Sequence, residues 1–141
     1  MTDTELALTH ALFEPIAIDG MTVPNRIAMA PMTREFAPGG VPGADVAAYY
    51  ARRAAGGVGL VITEGMAVNA EGAHDGPIPR LFLPEARAGL AAIADAVHRA
   101  GGKVIPQLWH VGIQDSPTEI NPETVKKRPR RLGPSGLNGA G

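Results

Sequence analysis

Three residues at the ends of apolar runs could hydrogen-bond a small molecule. Thr33 supplies a hydroxyl, Gly65 leaves its backbone open to close approach, and Gln107 carries an amide with one acceptor and two donors. In parallel α/β folds the working groups sit at the carboxyl ends of the strands. The chain has no cysteine, and no histidine has metal-ligand spacing. We therefore expect hydrogen bonding at these positions, and no metal site.

The runs that must position these residues are Asn25 to Met32, Val58 to Thr63 and Lys103 to Trp109. Each is short and apolar and lacks helical periodicity, which is typical of a strand buried on both faces of a parallel sheet. Pro106 interrupts the third run, and a proline is tolerated best near the end of a strand or at a bulge. The sequence predicts three strands.

A helix is predicted between each pair of strands. Asp45 is expected to cap a helix that continues to about Ala55 and stops at Gly56-Gly57. Pro84 opens the second helix, and Gly101-Gly102 ends it. Strand, helix, strand, helix, strand implies βαβ crossovers and a parallel sheet. Three strands cannot close a barrel.

The sequence divides into three segments with different predicted structures. Residues 12–23 form two short extended pieces around the turn at Asp19-Gly20, a small hairpin lid. Residues 25–110 hold the alternating strands and helices. Residues 111–141 contain several prolines and glycines and are predicted to be a long loop. We interpret residues 1–141 as the N-terminal portion of a single domain.

Composition limits the function classes. The chain has 141 residues, against about 250 for a (β/α)8 barrel. Its 45% hydrophobic and 19% charged residues are those of a globular protein, and 13 basic minus 14 acidic residues give a net charge of −1. We expect no nucleic-acid or membrane partner and a cytoplasmic location. The basic run 126–131 contains no aromatic residue, so we interpret it as a solvated loop that at most helps to attract cofactor phosphates.

Three segments resemble the opening motifs of the Old Yellow Enzyme family, the FMN-dependent NADH:flavin oxidoreductases and ene-reductases. They are PNRIAMAPMTR at 24–34, GGVGLVITEG at 56–65 and KVIPQLWHVG at 103–112, in the family's order, and LFEPIAIDGMTVPNR matches the family's hairpin. The resemblance implies the first three strands of a (β/α)8 TIM barrel after an N-terminal β-hairpin. It also implies FMN as cofactor, with NAD(P)H as the reductant for activated C=C bonds of α,β-unsaturated carbonyl compounds.

Four residues near the first two strand ends acquire cofactor roles from this resemblance. Thr33 would place its hydroxyl near the flavin C4 carbonyl and tune the ring, Pro31 and Met32 would pack on the isoalloxazine, and Gly65 would admit its polar edge. Taken singly, each has a simpler interpretation. These are a strand-end hydroxyl bonded to local backbone, a strand-terminating proline, a core methionine and a turn glycine.

The third strand end contributes two more residues. By the resemblance, Gln107 would match the N3–H and C2=O of the flavin pyrimidine, and Trp109 would line the substrate side of the ring. The alternatives are a buried glutamine satisfied by backbone and a core aromatic with a satisfied indole N–H. After His110 many relatives carry an arginine, whereas this chain continues with residues 111–114, VGIQ.

Several family features are missing from the sequence. The His/Asn or His/His pair that holds the substrate carbonyl and the tyrosine that protonates the product have no matching motif here, and TIM-barrel phosphate sites are built from late loops. We therefore expect the isolated chain to bind FMN weakly and to be inactive. The remaining barrel would come from another chain or from a longer parent, and it would cover an otherwise exposed apolar sheet edge.

Two alternatives stay open. The first is a related flavoprotein of the dienoyl-CoA reductase or amine dehydrogenase type, which adds an iron–sulfur site. The second is a non-catalytic half-barrel that only scaffolds a partner.

Overall fold

The computed structural model describes residues 10–74 and 76–112. Its elements, in chain order, are the strands and helices β1 (Ile16–Ile18), β2 (Met21–Val23), β3 (Ala28–Met29), α1 (Ala44–Ala55), β4 (Leu60–Ala67), α2 (Pro84–Arg99) and β5 (Lys103–Trp109). A 3-10 turn at Pro38–Gly40 lies between β3 and α1. Within these residues, no helix has the length and apolar character needed to cross a bilayer.

The N-terminal hairpin forms as predicted. β1 and β2 pair antiparallel, and the turn residues Asp19 and Gly20 have φ angles of 45° and 82°. Positive φ angles at both central residues are typical of a type I′ turn, whose twist matches that of the two flanking strands. Glycine adopts a positive φ angle without a Cβ penalty. The hairpin and the start of β3 line a shallow pocket that also includes Leu60, the first residue of β4. The hairpin therefore lies towards the amino ends of the parallel strands.

The parallel sheet has the order β3-β4-β5, with β4 in the centre. β3 pairs with β4 from Ala28 opposite Leu60, and β4 pairs with β5 from Leu60 opposite Lys103. The register of β4 and β5 shifts between Ile62 and Gly65, so two residues of β4 oppose Pro106 alone. The proline thus occupies the strand irregularity that its missing N–H requires.

The two helices cover one face of this sheet. The main core cluster joins Val46 and Tyr50 of α1, Ile93 and Val97 of α2, and Val61 of β4. All five side chains are fully buried. Each helix ends at the predicted glycines, where Gly57 and Gly101 adopt φ angles of 98° and 88°. The apolar stripes on α1 and α2 therefore fix the helix layer.

A long segment between β4 and α2 crosses the carboxyl ends of the strands. The N–H of Ala37 donates to the carbonyl of Pro77 at 2.8 Å, and the N–H of Arg80 donates to the carbonyl of Gly40 at 2.9 Å. These bonds tie the segment to the loop that follows β3. The N–H of Val111 donates to the carbonyl of Gly72 at 3.0 Å, which ties the same segment to the end of β5.

The structure corrects several predicted bounds. The first parallel strand is limited to Ala28–Met29 rather than residues 25–32, because Pro31 has no N–H to donate and only β4 is available as a partner. β4 starts two residues later than predicted and runs four residues further, to Ala67. The N-cap of α1 is Gly43, and Asp45 lies in the first turn instead.

The predicted hairpin segment begins with a helical turn, and the predicted C-terminal loop is described only at its start. Extended chain was expected from residue 12, but residues 10–12 are helical. Of the predicted loop 111–141, residues 111–112 form neither helix nor strand. The rest of that loop, with the basic run 126–131, lies outside the described residues.

Candidate functional site

The carboxyl ends of the three parallel strands meet at one edge of the sheet. Gly65 of β4 is paired with Gln107 of β5, and Ala67 is paired with Trp109. On the other side of β4, the carboxylate of Glu64 accepts hydrogen bonds from the loop that directly follows Thr33. The structure therefore brings all three predicted strand ends together.

The polar groups of the predicted ligand-binding residues are free within the described residues. Thr33 and Gln107 are exposed, and neither the Thr33 hydroxyl nor the Gln107 side-chain amide has a hydrogen-bond partner in residues 10–74 and 76–112. Neither residue shows the local backbone bond that the simpler interpretation requires. Met32 is also exposed, at 64%, and Pro31 is half-buried.

Gly65 and Trp109 fit against each other. A Cβ on Gly65 would collide with the six-membered ring of the Trp109 indole, so the indole lies where any other residue would place its side chain. Trp109 is half-buried, and its indole N–H makes no hydrogen bond within the described chain. Glycine at position 65 thus decides where the aromatic ring of β5 lies.

His74 also contacts the Trp109 indole. Its ring stacks on Trp109 with centroids 5.2 Å apart and planes 16° apart. Its Nδ1 accepts a hydrogen bond from the N–H of Gly76 at 3.0 Å, so the neutral ring carries its proton on Nε2. The segment after β4 therefore places the His74 imidazole against Trp109. Sequence reasoning missed this contact because the segment has no periodicity.

The most buried charged group of the site is Glu64. Its side chain is 0% exposed, and its Oε2 accepts hydrogen bonds from the N–H groups of Arg34 at 3.0 Å and Glu35 at 3.3 Å. Its own N–H donates to the hydroxyl of Tyr50 at 2.8 Å. Burial raises the pKa of the Glu64 carboxyl, although the two backbone donors and the Arg34 guanidinium act in the opposite direction.

Arg34 completes this cluster. Its guanidinium carbon lies 3.5 Å from the centroid of the Tyr49 ring, and that of Arg53 lies at the same distance, so the ring is held between two cations. Burial raises the pKa of Tyr50, whose hydroxyl lies close to both Arg34 and Glu64. Glu64 Oε1 and Arg34 Nη1 are buried without a hydrogen-bond partner in the described residues.

Sequence reasoning assigned Glu64 no role. Its partners are backbone N–H groups about thirty residues away in the sequence. Every residue type except proline has such a group, so the residue types of the loop could not predict these bonds. The hydrogen bond between the Glu64 N–H and Tyr50 of α1 was not predicted either. No group of three or more His, Cys, Asp or Glu residues that could hold a metal occurs in the described part of the chain.

Comparison with a family model places residues 11–136 in the pattern described as "NADH:flavin oxidoreductase / NADH oxidase family". A curated relative, 12-oxophytodienoate reductase 7 of Oryza sativa subsp. japonica, is 42% identical over 101 residues, which cover 72% of this chain and 25% of the relative. Chanoclavine-I aldehyde reductase of Penicillium roqueforti is 36% identical, with 79% of this chain and 31% of the relative covered. The chain thus spans about a quarter to a third of the length of these relatives.

Solved structures give the same result for the fold. Morphinone reductase in complex with tetrahydroNAD matches with a TM-score of 0.70 at 35% identity, covering 74% of this chain and 28% of that chain. The old yellow enzyme homologue from Zymomonas mobilis matches with a TM-score of 0.68 at 40% identity, covering 72% and 28%. The three parallel strands and two helices are the opening of a TIM barrel, and no closed barrel is present in the described residues.

Proposed function

The chain belongs to the NADH:flavin oxidoreductase / NADH oxidase family, the Old Yellow Enzyme family, and from this we propose that it supplies part of the FMN site of an ene-reductase. The reaction is the reduction of an activated C=C bond of an α,β-unsaturated carbonyl compound with NAD(P)H. The bound flavin would supply hydride chemistry, and this chain's residues would hold and orient it. Three of the names reported above, those of 12-oxophytodienoate reductase 7, chanoclavine-I aldehyde reductase and morphinone reductase, contain a carbonyl compound, which supports this substrate class.

One observation carries the proposal. Thr33 and Gln107 present side-chain groups that have no hydrogen-bond partner among the described residues, at the edge where the three strand ends meet, and Gly65 belongs to the central strand. An amide offers the donor and acceptor that a flavin pyrimidine needs, and a hydroxyl donor near the C4 carbonyl stabilises charge on the reduced ring. Pro31 and Met32 would pack on the ring.

Trp109 would line the substrate side. Its indole is held against Gly65 and stacked on His74, so its position is fixed before any ligand binds. A fixed aromatic wall costs less ordering on binding than a mobile one. This rigidity supports a role in shaping the space above the ring.

The partner of this chain would be the remaining barrel, supplied by another chain or by a longer parent. β3 and β5 are the outer strands of the described sheet, and Ile105 and Leu108 of β5 are 39% and 65% exposed. Exposed apolar side chains on a strand that has one unpaired edge favour pairing with further strands. We expect activity only when those strands are present.

The experiment that tests the FMN site is Gln107→Leu. Titrating the chain with FMN to millimolar concentration and following the fluorescence of Trp109, the one tryptophan of the sequence, gives the affinity. We expect weak binding by the wild type and about tenfold weaker binding by the variant, since a leucine removes both the donor and the acceptor. Equal affinities would contradict the role of Gln107.

The ene-reductase activity needs its own test. The chain alone should not oxidise NADPH with a conjugated enone, and activity should appear when the remaining strands are supplied. Reduction of the enone by the purified chain alone would show that no partner is needed. Iron in the complete assembly would favour the dienoyl-CoA reductase or amine dehydrogenase type, and an assembly that binds no flavin would favour the scaffold.

A further inference from the structure

We propose that Glu64 is a positioning residue whose buried carboxylate holds the loop that presents Thr33 to the flavin. This inference rests on the proposed function, because it assigns the carboxylate a role in the same FMN site. Glu64 itself would touch neither flavin nor substrate. It would act through the two backbone N–H groups that follow Thr33.

The loop after β3 lacks the hydrogen bonds of a strand. β3 pairs with β4 at Ala28 and Met29 only, and the strand pairing does not extend to Thr33. The N–H groups of Arg34 and Glu35 find their acceptor in Glu64 Oε2, at 3.0 and 3.3 Å. The carboxylate therefore replaces the missing strand partner at the residues next to Thr33.

This loop conformation has a cost that the carboxylate offsets. Glu35 has a φ angle of 60°, in the left-handed region that few residues other than glycine adopt. Successive N–H groups that converge in this way form a cavity for an anion, and a bond to an ionised acceptor is stronger than one between neutral groups. Without Glu64 Oε2, both N–H groups would lose their acceptor.

Glu64 is itself fixed from two sides. Its N–H donates to the Tyr50 hydroxyl of α1 at 2.8 Å, and the next residue along β4 is Gly65, against which Trp109 packs. Arg34, one of the two residues it holds, is also packed over the Tyr49 ring. One side chain therefore couples the central strand, the first helix and the Thr33 loop.

A buried carboxylate is an expensive choice if stability alone is at stake. Removing an anion from water is unfavourable, and apolar residues of similar volume often stabilise such a site as well or better. Glu64 Oε1 has no hydrogen-bond partner in the described residues, so part of this cost stays uncompensated. We infer that the Glu64 charge is kept because it places the Thr33 hydroxyl precisely.

The test is a double-mutant cycle between Glu64→Met, which has no oxygen to accept the two N–H bonds, and Thr33→Val, read by FMN titration of the full chain. Each single variant should weaken FMN binding about fivefold, which corresponds to the loss of one hydrogen bond. If Glu64 acts through Thr33, the double variant should bind no more weakly than Thr33→Val alone. Additive losses of about 25-fold would overturn the proposal, because they would show that the two residues act independently.

Two further measurements keep the result interpretable. Glu85→Gln, which removes an exposed carboxylate in the first turn of α2, should leave FMN binding unchanged and controls for net charge. Amide hydrogen exchange of Arg34 and Glu35 should be about tenfold faster in Glu64→Met, which has no oxygen to accept their bonds, than in the wild type. Unchanged exchange in the folded variant would overturn the proposal. Absence of FMN binding by the wild type would instead contradict the proposed function, and the exchange measurement would still decide whether Glu64 holds the loop.

Discussion

At the scale of single residues, the site is organised by what Gly65 lacks. The space that a Cβ would occupy is filled by the Trp109 indole, and the same indole is stacked against the His74 ring. The sequence indicated a glycine that permits close approach, and the structure identifies a neighbouring aromatic ring as the group that approaches. Whether a flavin edge approaches as well remains a prediction.

Gly65→Ala should displace the indole. Its methyl group has no room beside the six-membered ring, and overpacking of this kind costs about 1–3 kcal/mol. Because Trp109 is the only tryptophan in the sequence, its emission spectrum reports the displacement directly. Gly56→Ala is the control, since its nearest contact would be backbone at 3.3 Å and it adjoins α1. Identical emission from Gly65→Ala and the wild type would contradict the packing described.

Glu64 makes the stability of the fold depend on pH in a defined direction. Burial raises its pKa above the ordinary value of 4.5, so the native state holds this proton to higher pH than the unfolded chain does. The resulting stabilisation is complete below pH 4.5 and is lost as the pH rises through the native pKa. Compared with Glu64→Gln, the wild-type free energy of unfolding should therefore fall across this window and then level off. Urea unfolding at several pH values measures it, and a difference that grows with pH would show the opposite sign.

At the scale of elements, Asn25 connects the start of β3 to the turn before β4. Its Nδ2 donates to the carbonyl of Gly57 at 2.8 Å, and its Oδ1 accepts from the N–H of Ile27 at 3.0 Å. Gly59 belongs to the same arrangement, because a Cβ there would lie 2.5 Å from Asn25 Oδ1. One amide thus aligns two neighbouring parallel strands before their regular pairing begins.

Asn25→Ala should lower the free energy of unfolding by about 1–3 kcal/mol, because two hydrogen bonds are lost and one backbone carbonyl loses its donor. Asn69→Ala is a matched comparison, since Asn69 accepts one bond, from the N–H of Gly72 at 2.8 Å, within the segment after β4. Thermal unfolding of both variants gives the measurement. An equal or larger loss in Asn69→Ala would mean that Asn25 does not align the strands.

The sequence predicted the elements whose signals are local. β5 has the predicted bounds, Pro84 opens α2, and both helices end at their glycines, because periodicity and backbone preference are properties of the segment itself. The length of β3 could not be predicted, since it depends on which residues find a partner on β4. The acceptor for the Thr33 loop was hidden for the same reason.

At the scale of the whole molecule, the described chain has a covered face and uncovered edges. Apolar residues exposed by more than a third include Ile105 and Leu108 on β5 and Met32 and Phe36 after β3. Ile105 and Leu108 lie on one outer strand of the sheet, and Met32 and Phe36 lie in the loop that follows the other. This distribution is expected of a sheet to which further strands can be added beside both β3 and β5.

The double substitution Ile105→Lys and Leu108→Lys should reduce concentration-dependent association of the chain while leaving its unfolding temperature nearly unchanged. Charged side chains on an outer strand oppose edge-to-edge pairing, and these positions are already exposed. Sedimentation velocity over a range of concentrations measures association. Phe13→Lys is the control, because Phe13 is 61% exposed but lies outside the parallel sheet. Equal association of the wild type, the double variant and the control would show that the associating surface does not include Ile105 and Leu108.

The shifted register of β4 makes the number of residues in this strand matter as much as their identity. Side chains alternate along a strand, yet Ile62 and Gly65 are paired with Ile105 and Gln107, which share one face of β5. The surplus residue therefore turns Gly65 towards the tryptophan and frees Glu64 to reach back to the first loop. Removing Thr63 or Glu64 would leave one residue opposite Pro106, so the strand would become regular while Gly65 kept its pairing with Gln107. A single deletion would therefore abolish the bulge, and with it the contact of Glu64 with the first loop, without disturbing the tryptophan's neighbour.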